Sequence, residues 1–180
     1  MKKLAILALL ALELAVGGCG RNNTPQNSST TTVNGNWEAL LSGGTGAASQ
    51  LNFVTTFTVT DTVGANNQPL DITGFSFFNA GACFANSVGA STWTGNATLN
   101  TSGTNQVTGT MNFTVTSVIP AGNSLALTGN VTGTSNGTTT TTGTLSNGVV
   151  SGTWTLTGGS GCAGTGTFIM CQGNSTCTVP

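Results

Sequence analysis

From Leu51 onward, apolar residues fall on alternate positions in one segment after another. Leu51, Phe53, Phe57 and Val59 have Asn52, Thr56 and Thr58 between them; Trp93, Ala97 and Leu99 alternate with Thr94, Asn96 and Thr98. Met111, Phe113 and Val115 alternate with Asn112, Thr114 and Thr116, and Leu125, Leu127 and Val131 with Ala126, Thr128 and Thr132. Val150, Trp154 and Leu156 do the same with Ser151, Thr153 and Thr155. A period of two belongs to strands with one buried face. Threonine suits the other face, being β-branched and tolerant of water.

Turn chemistry separates these runs: Asn66-Asn67-Gln68-Pro69, Thr101-Ser102-Gly103-Thr104, Pro120-Ala121-Gly122-Asn123, Ser135-Asn136-Gly137, Ser146-Asn147-Gly148 and Gly158 to Gly161. Asn-Gly pairs fit two-residue hairpins because both positions accept positive φ. After Val16 only Glu38 to Leu41 hints at a helix. The pattern therefore predicts an all-β fold, an antiparallel meander of eight to ten strands. So long a sheet either closes into a barrel or folds into two packed layers. Gly95, Gly109, Gly129, Gly133, Gly152, Gly164 and Gly166 sit inside the runs, where glycine relieves crowding in a strongly bent sheet. They favour a closed or nearly closed barrel, with a β-sandwich as the alternative. A recurring Thr-Gly-x-apolar unit, as in Thr108 to Met111 and Thr128 to Val131, is spaced too irregularly for a solenoid.

The first 32 residues have a different character. Lys2-Lys3 precede an apolar run from Leu4 to Val16, followed by Gly17-Gly18-Cys19, the layout of a secretory signal peptide. Val16-Gly17-Gly18-Cys19 resembles the lipobox of bacterial lipoproteins. That resemblance implies cleavage before Cys19, lipidation of its thiol and attachment to a membrane, with Gly20 in place of Asp pointing to the outer one, where the domain would face periplasm or cell surface. Glu13 departs from the pattern, since a carboxylate disfavours insertion of an apolar segment. The run is shorter than the ~20 residues that span a bilayer. Gly20 to Thr32 has no apolar periodicity and reads as a flexible tether. The chain thus divides into a signal peptide over 1–18, a lipid-anchored tether over 19–32 and one β domain over 33–180.

Setting Cys19 aside leaves Cys83, Cys162, Cys171 and Cys177, an even number in an exported chain, so two disulfides are expected. A strand from Ala163 to Met170 would hold Cys162 and Cys171 about 30 Å apart, far beyond disulfide reach. Of the remaining pairings, Cys83 with Cys162 and Cys171 with Cys177 is favoured. A zinc site is disfavoured: the chain has no Cys-x-x-Cys pair and no histidine.

Charge and chemistry narrow the function classes. Charged residues make up 4% of the chain and the net charge is −1. Past Cys19 the only basic residue is Arg21, and the carboxylates are Glu38, Asp61 and Asp71. One arginine makes no patch for a nucleic acid. Without histidine, Ser-His-Asp and Cys-His machinery cannot be assembled. Asp61 and Asp71, flanking a loop with Asn66 and Asn67, are the one pair to weigh for glycoside hydrolysis or for calcium. Turn-flanking aspartates that bond nearby backbone explain them more simply. No catalytic residue and no cofactor is assigned.

Gly35 and Trp37, on the first strand, resemble the Gly-x-Trp of lipocalin- and avidin-like up-and-down barrels, in which the tryptophan closes one end. No ligand residue carries over with it. Three roles remain open for a non-catalytic envelope module. A barrel lined by Phe53, Phe57, Phe113, Trp93 and Trp154 would hold a small apolar ligand, although the same side chains also make a filled core. A threonine- and asparagine-rich outer face would meet neutral glycans or other cells. An assembly subunit would bury Phe75, Phe77 and Phe78 against an envelope protein, a cluster that burial of one central strand explains equally well.

Overall fold

The computed structural model describes residues 31–44, 51–57, 68–102, 104–137, 143–159, 161–173 and 177. They form ten strands: β1 Thr31–Thr32, β2 Gly35–Ser42, β3 Asn52–Phe57, β4 Gln68–Pro69, β5 Ile72–Asn79, β6 Ser91–Thr101, β7 Gln106–Ser117, β8 Ser124–Ser135, β9 Gly143–Thr157 and β10 Gly164–Gln172. All belong to one sheet of order β4-β6-β7-β8-β9-β10-β2-β3-β5, with β1 beside β9. Every neighbour pair is antiparallel except β1 with β9. The expected all-β antiparallel meander is present. The expected closure is not: the sheet curls strongly into a half-barrel that stays open where β5 and β6 meet.

Alternation places the apolar residues inside the curl. Phe113, Val115, Leu125, Leu127, Val131, Val150, Trp154 and Leu156 are all buried. Phe53 stacks on Phe113 at 5.5 Å between ring centroids, and Trp37 lies 5.9 Å from Phe57. Trp154 donates its indole N–H to the Ser42 carbonyl at 2.9 Å, which meets the polar demand of a buried tryptophan. The curl is tight at Gly152, which faces Gly129 on β8 and Phe168 on β10. A Cβ on Gly152 would overlap the Thr128 carbonyl oxygen, while the Phe168 ring reaches over Gly129. Two facing glycines let the backbones approach, and one aromatic ring refills the space they leave.

The outer face is a lattice of short polar side chains. One row across six strands reads Asn96, Asn112, Thr128, Thr153, Thr167 and Ser42. Asn112 donates to Asn96 at 3.0 Å, and the Ser42 and Thr167 hydroxyls lie 2.9 Å apart.

Several local expectations are corrected. Ser146-Asn147-Gly148 is no hairpin but part of β9. Thr132 pairs with Val149 and Thr134 with Ser146, so Asn147 and Gly148 both face Gly133 in a bulge. Asn147 takes φ 53°, the left-handed conformation that its side chain tolerates. Gln68 and Pro69, expected in a turn, form β4 and pair with Ala97 and Asn96. Glu38 to Leu41 is extended within β2. Thr31 and Thr32, assigned to the tether, are buried and paired with Gly143 and Thr144. The Thr31 hydroxyl donates to Ser135 Oγ at 2.9 Å, so the sheet takes up the chain before the first apolar residue.

Strand directions give the sheet two ends. One holds Thr31, Gly35, Phe57, Thr101, Ser135 and Gln172; the other holds Ser42, Asn79, Ser91, Ser117, Ser124 and Thr157. Cys83 and Cys162 are joined at the second end, Cα atoms 5.5 Å apart, and Cys171 and Cys177 at the first, 5.7 Å apart.

Candidate functional site

The break in the sheet is the feature that sets one region apart from the rest. β6 pairs with β7 along its whole length, but on its other edge only Ala97 and Asn96 meet β4, and Gly95 accepts from the Leu70 N–H at 2.8 Å. Since Gly95 turns its backbone groups toward that edge, alternation turns those of Trp93 and Ser91 the same way. Across the seam stands β5, whose inner neighbour is β3. Side chains, not a backbone ladder, bridge the two. Phe75 stacks on Trp93 at 5.4 Å and 25°, and the Trp93 indole N–H points to the Ile72 carbonyl at 3.4 Å. Phe75 also contacts Phe53 at 5.0 Å and Phe77 at 4.9 Å, which joins the seam to the core.

A groove of about 310 Å³ opens along this seam. Its floor is Phe75, Phe77 and Trp93, and the other lining residues are Thr73, Gly74 and Ser76 of β5 and Ala85 to Gly89 with Ser91. No lining residue carries a charge. The Ser91 hydroxyl oxygen is buried without a hydrogen-bond partner, whereas Asn86 is exposed and donates to the Phe77 carbonyl at 2.6 Å. Phe77 Cα faces Phe53 on β3, and its ring packs on Phe84 at 4.7 Å.

The wall over 80–90 has no regular structure, yet it is fixed at several points. The disulfide from Cys83 holds it to Cys162, and the Asn123 amide donates to the Cys83 carbonyl at 2.7 Å. Val118 and Ile119 donate their N–H groups to the Ala90 carbonyl at 2.7 and 3.1 Å. Exposed apolar side chains gather on the same end: Val88, fully exposed, with Ile119 at 61% and Val118 at 46%.

The sequence candidates are distributed unevenly about this groove. Phe75 and Phe77 form its floor, but β5 is the last strand of the path rather than a central one, and Phe78 points outward at 53% exposure. Of the five aromatic residues assigned to a barrel interior, Phe53, Phe57, Phe113 and Trp154 are buried against one another or their neighbours, and only Trp93 reaches the groove. Trp37 is buried at the opposite end, and a Cβ on Gly148 would press on its ring. Asp71 is exposed, and Asp61 lies outside the described residues, as does Cys19. The four paired cysteines sit at opposite ends of the sheet, so their sulfurs do not converge on one point.

Asn86, Ser87, Val88 and Ser91 carry no local sequence signal; only knowledge of which strands fail to pair could have singled them out. A second concavity, of about 360 Å³, lies at the other end between Gly35, Asn36, Leu145 to Asn147, Gln172 and Gly173. It is lined by the Gln172 amide, whose NH₂ donates to the Asn34 and Leu145 carbonyls and whose oxygen accepts from Gly148 N–H, all within 3.1 Å. These bonds close that end of the sheet. No protein-family model, curated protein or solved structure matches the chain.

Proposed function

We propose that this chain is a non-catalytic binding module, held in the outer membrane by a lipid on Cys19, with its ligand site in the groove between β5 and β6. One observation carries the reading: among the described residues, in a sheet otherwise laced by backbone hydrogen bonds, the break between β5 and β6 is spanned by stacked rings and opens into an uncharged groove. Pocket volumes of ~300–1,000 Å³ with apolar floors and a few polar groups are typical of small-molecule sites. The cross-linked wall supports the same reading, because a preorganised groove loses little entropy on binding.

A ligand held inside the curl has less support. Phe53, Phe57, Phe113 and Trp154 contact one another or their neighbours there as ordinary core residues. A second reading, adhesion through the outer face, draws on the six-residue polar row from Asn96 to Ser42. It uses the face opposite the core and no part of the groove.

Two measurements test the proposal. Cys19→Ser should move the exported protein from the membrane fraction to the soluble one; a protein that stays with the membrane removes the anchor. Native mass spectrometry of the released protein, purified without denaturation, should show an adduct of small-molecule size. A mass equal to the bare oxidised chain, unchanged by incubation with envelope extract, would refute the groove as a ligand site and turn attention to the outer face.

A further inference from the structure

We infer that the β5–β6 groove accepts one ring of a neutral saccharide, stacked on the aromatic floor. The inference rests on the reading of the groove as the ligand site and adds the ligand's chemistry. Four features lead to it. The floor is aromatic; Phe77 is 3% exposed, so the half-buried rings of Phe75 and Trp93 are the ones a ligand meets, and an aromatic face carries negative charge density that attracts the weakly positive C–H face of a pyranose ring. The rim is made of neutral hydrogen-bonding groups, among them the Ser87 and Ser76 hydroxyls and the exposed Asn86 amide, which keeps its oxygen and a second N–H beyond the bond to the Phe77 carbonyl; these match sugar hydroxyls and leave none of the desolvation cost of an unpaired charge. No charged residue lines the groove, which removes the means of holding an acidic sugar, a phosphate or a cation. The volume, about 310 Å³, is at the low end for ligand sites and suits one or two rings rather than a long chain.

The other occupant compatible with a strand edge is an extended peptide added between β5 and β6. Geometry disfavours it. Inserting a strand needs the flanking strands about 9.6 Å apart, twice the spacing of hydrogen-bonded neighbours. Cα atoms of β5 and β6 already come within 8 Å of each other, and the Phe75–Trp93 stack fills the space between. A purely apolar ligand fits the floor, but it would strip water from the hydrogen-bonding rim without replacing those bonds.

Trp93 is also the natural reporter. The chain has three tryptophans, and Trp37 and Trp154 are each 1% exposed, so a ligand in the groove alters chiefly the emission of Trp93. The experiment is a fluorescence titration of the full-length mature protein, disulfides intact, with neutral di- to hexasaccharides built on glucose, galactose and N-acetylglucosamine. Dodecanol and an uncharged hexapeptide are run in parallel. The expected result is saturation by at least one saccharide with a Kd of roughly 10 μM to 1 mM. Trp93→Ala, followed by calorimetry since the reporter is gone, should weaken binding at least tenfold, and Trp93→Phe less. Asn86→Ala, at an exposed site, provides a second variant should Trp93→Ala fail to fold, and should weaken binding several-fold.

Saturation by dodecanol or by the peptide, with no saccharide binding, would overturn the ligand class while leaving the groove as a site. Saccharide binding unchanged by both Trp93→Ala and Asn86→Ala would overturn the location. No saturation by any of the probes would overturn the inference outright.

Discussion

Removing the Cys83–Cys162 bond should destabilise this fold about twice as much as removing Cys171–Cys177. The two bonds span sequence separations of 79 and 6 residues. The entropy that a cross-link removes from the unfolded chain grows with the logarithm of the loop it closes, which gives ~4.5 kcal/mol for the long loop and ~2.2 kcal/mol for the short one at 25 °C. The folded side acts in the same direction. Cys83 is fully buried and its bond fixes a wall of the groove, whereas Cys177 is half-buried and follows the last strand. The variants to compare are Cys83→Ala/Cys162→Ala and Cys171→Ala/Cys177→Ala; alanine avoids placing a hydroxyl in the fully buried Cys83 site. Urea unfolding should separate them by about 2 kcal/mol. For a domain of about 150 residues, thermal midpoints should fall by ~14 °C and ~7 °C respectively. Equal losses, or a larger loss for the short loop, would refute loop length as the controlling quantity.

Other consequences are as specific. Gly152→Ala, which drives a methyl group into the Thr128 carbonyl, should cost about 1–3 kcal/mol, while Gly159→Ala, with nothing within 4 Å of its Cβ position, should cost under ~0.5 kcal/mol; chemical denaturation measures both. Phe77→Ala empties a site that is 3% exposed and should cost ~3–5 kcal/mol, whereas Phe78→Ser, at 53% exposure, should leave the urea midpoint nearly unchanged. Asn147→Val forces a β-branched residue to φ 53° and should cost ~1–3 kcal/mol, with Asn147→Gly tolerated; equal stability of the two would remove the bulge from the account. Acrylamide should quench part of the tryptophan emission in the native protein and much less of it in Trp93→Phe, because Trp37 and Trp154 are buried.

The sequence carried β3 and the strands from β6 to β9 most clearly, and the reason is physical. Each has one dry face and one wet face, so alternation of the kind Met111-Asn112-Phe113-Thr114 is legible whichever short polar residue fills the wet positions. Where other demands act, the signal fails. Asn147-Gly148 reads as a hairpin because bulges and hairpins require the same left-handed backbone, and only the Thr132–Val149 register tells them apart. Gln68-Pro69 reads as a turn because proline donates no hydrogen bond, yet a two-residue edge strand requires few. Thr31 and Thr32 contain nothing apolar and are held by hydroxyl bonds to Ser135 and Gly143. The floor of the groove was visible in part, since Phe75-Ser76-Phe77-Phe78 breaks simple alternation. Its walls were not. A groove at a seam depends on two strand edges failing to pair, which is a property of the sheet's path and not of any short segment.

The route by which the chain enters the sheet has a mechanical consequence. Residues N-terminal to Thr31 lead through β1 directly into β2, which lies between β10 and β3 and is hydrogen-bonded on both sides. A pull applied to that end runs along a strand held from two flanks. It loads many hydrogen bonds at once in shear and does not unzip an edge one bond at a time. Resistance to forced unfolding is a rate property set by the barrier rather than by equilibrium stability, and this arrangement places the barrier in a strand that is paired along both edges. The open seam lies beyond β5, two strands from β2 by way of β3, and stays outside the line of tension. The groove beside that seam is therefore not in the part of the molecule that would carry the load.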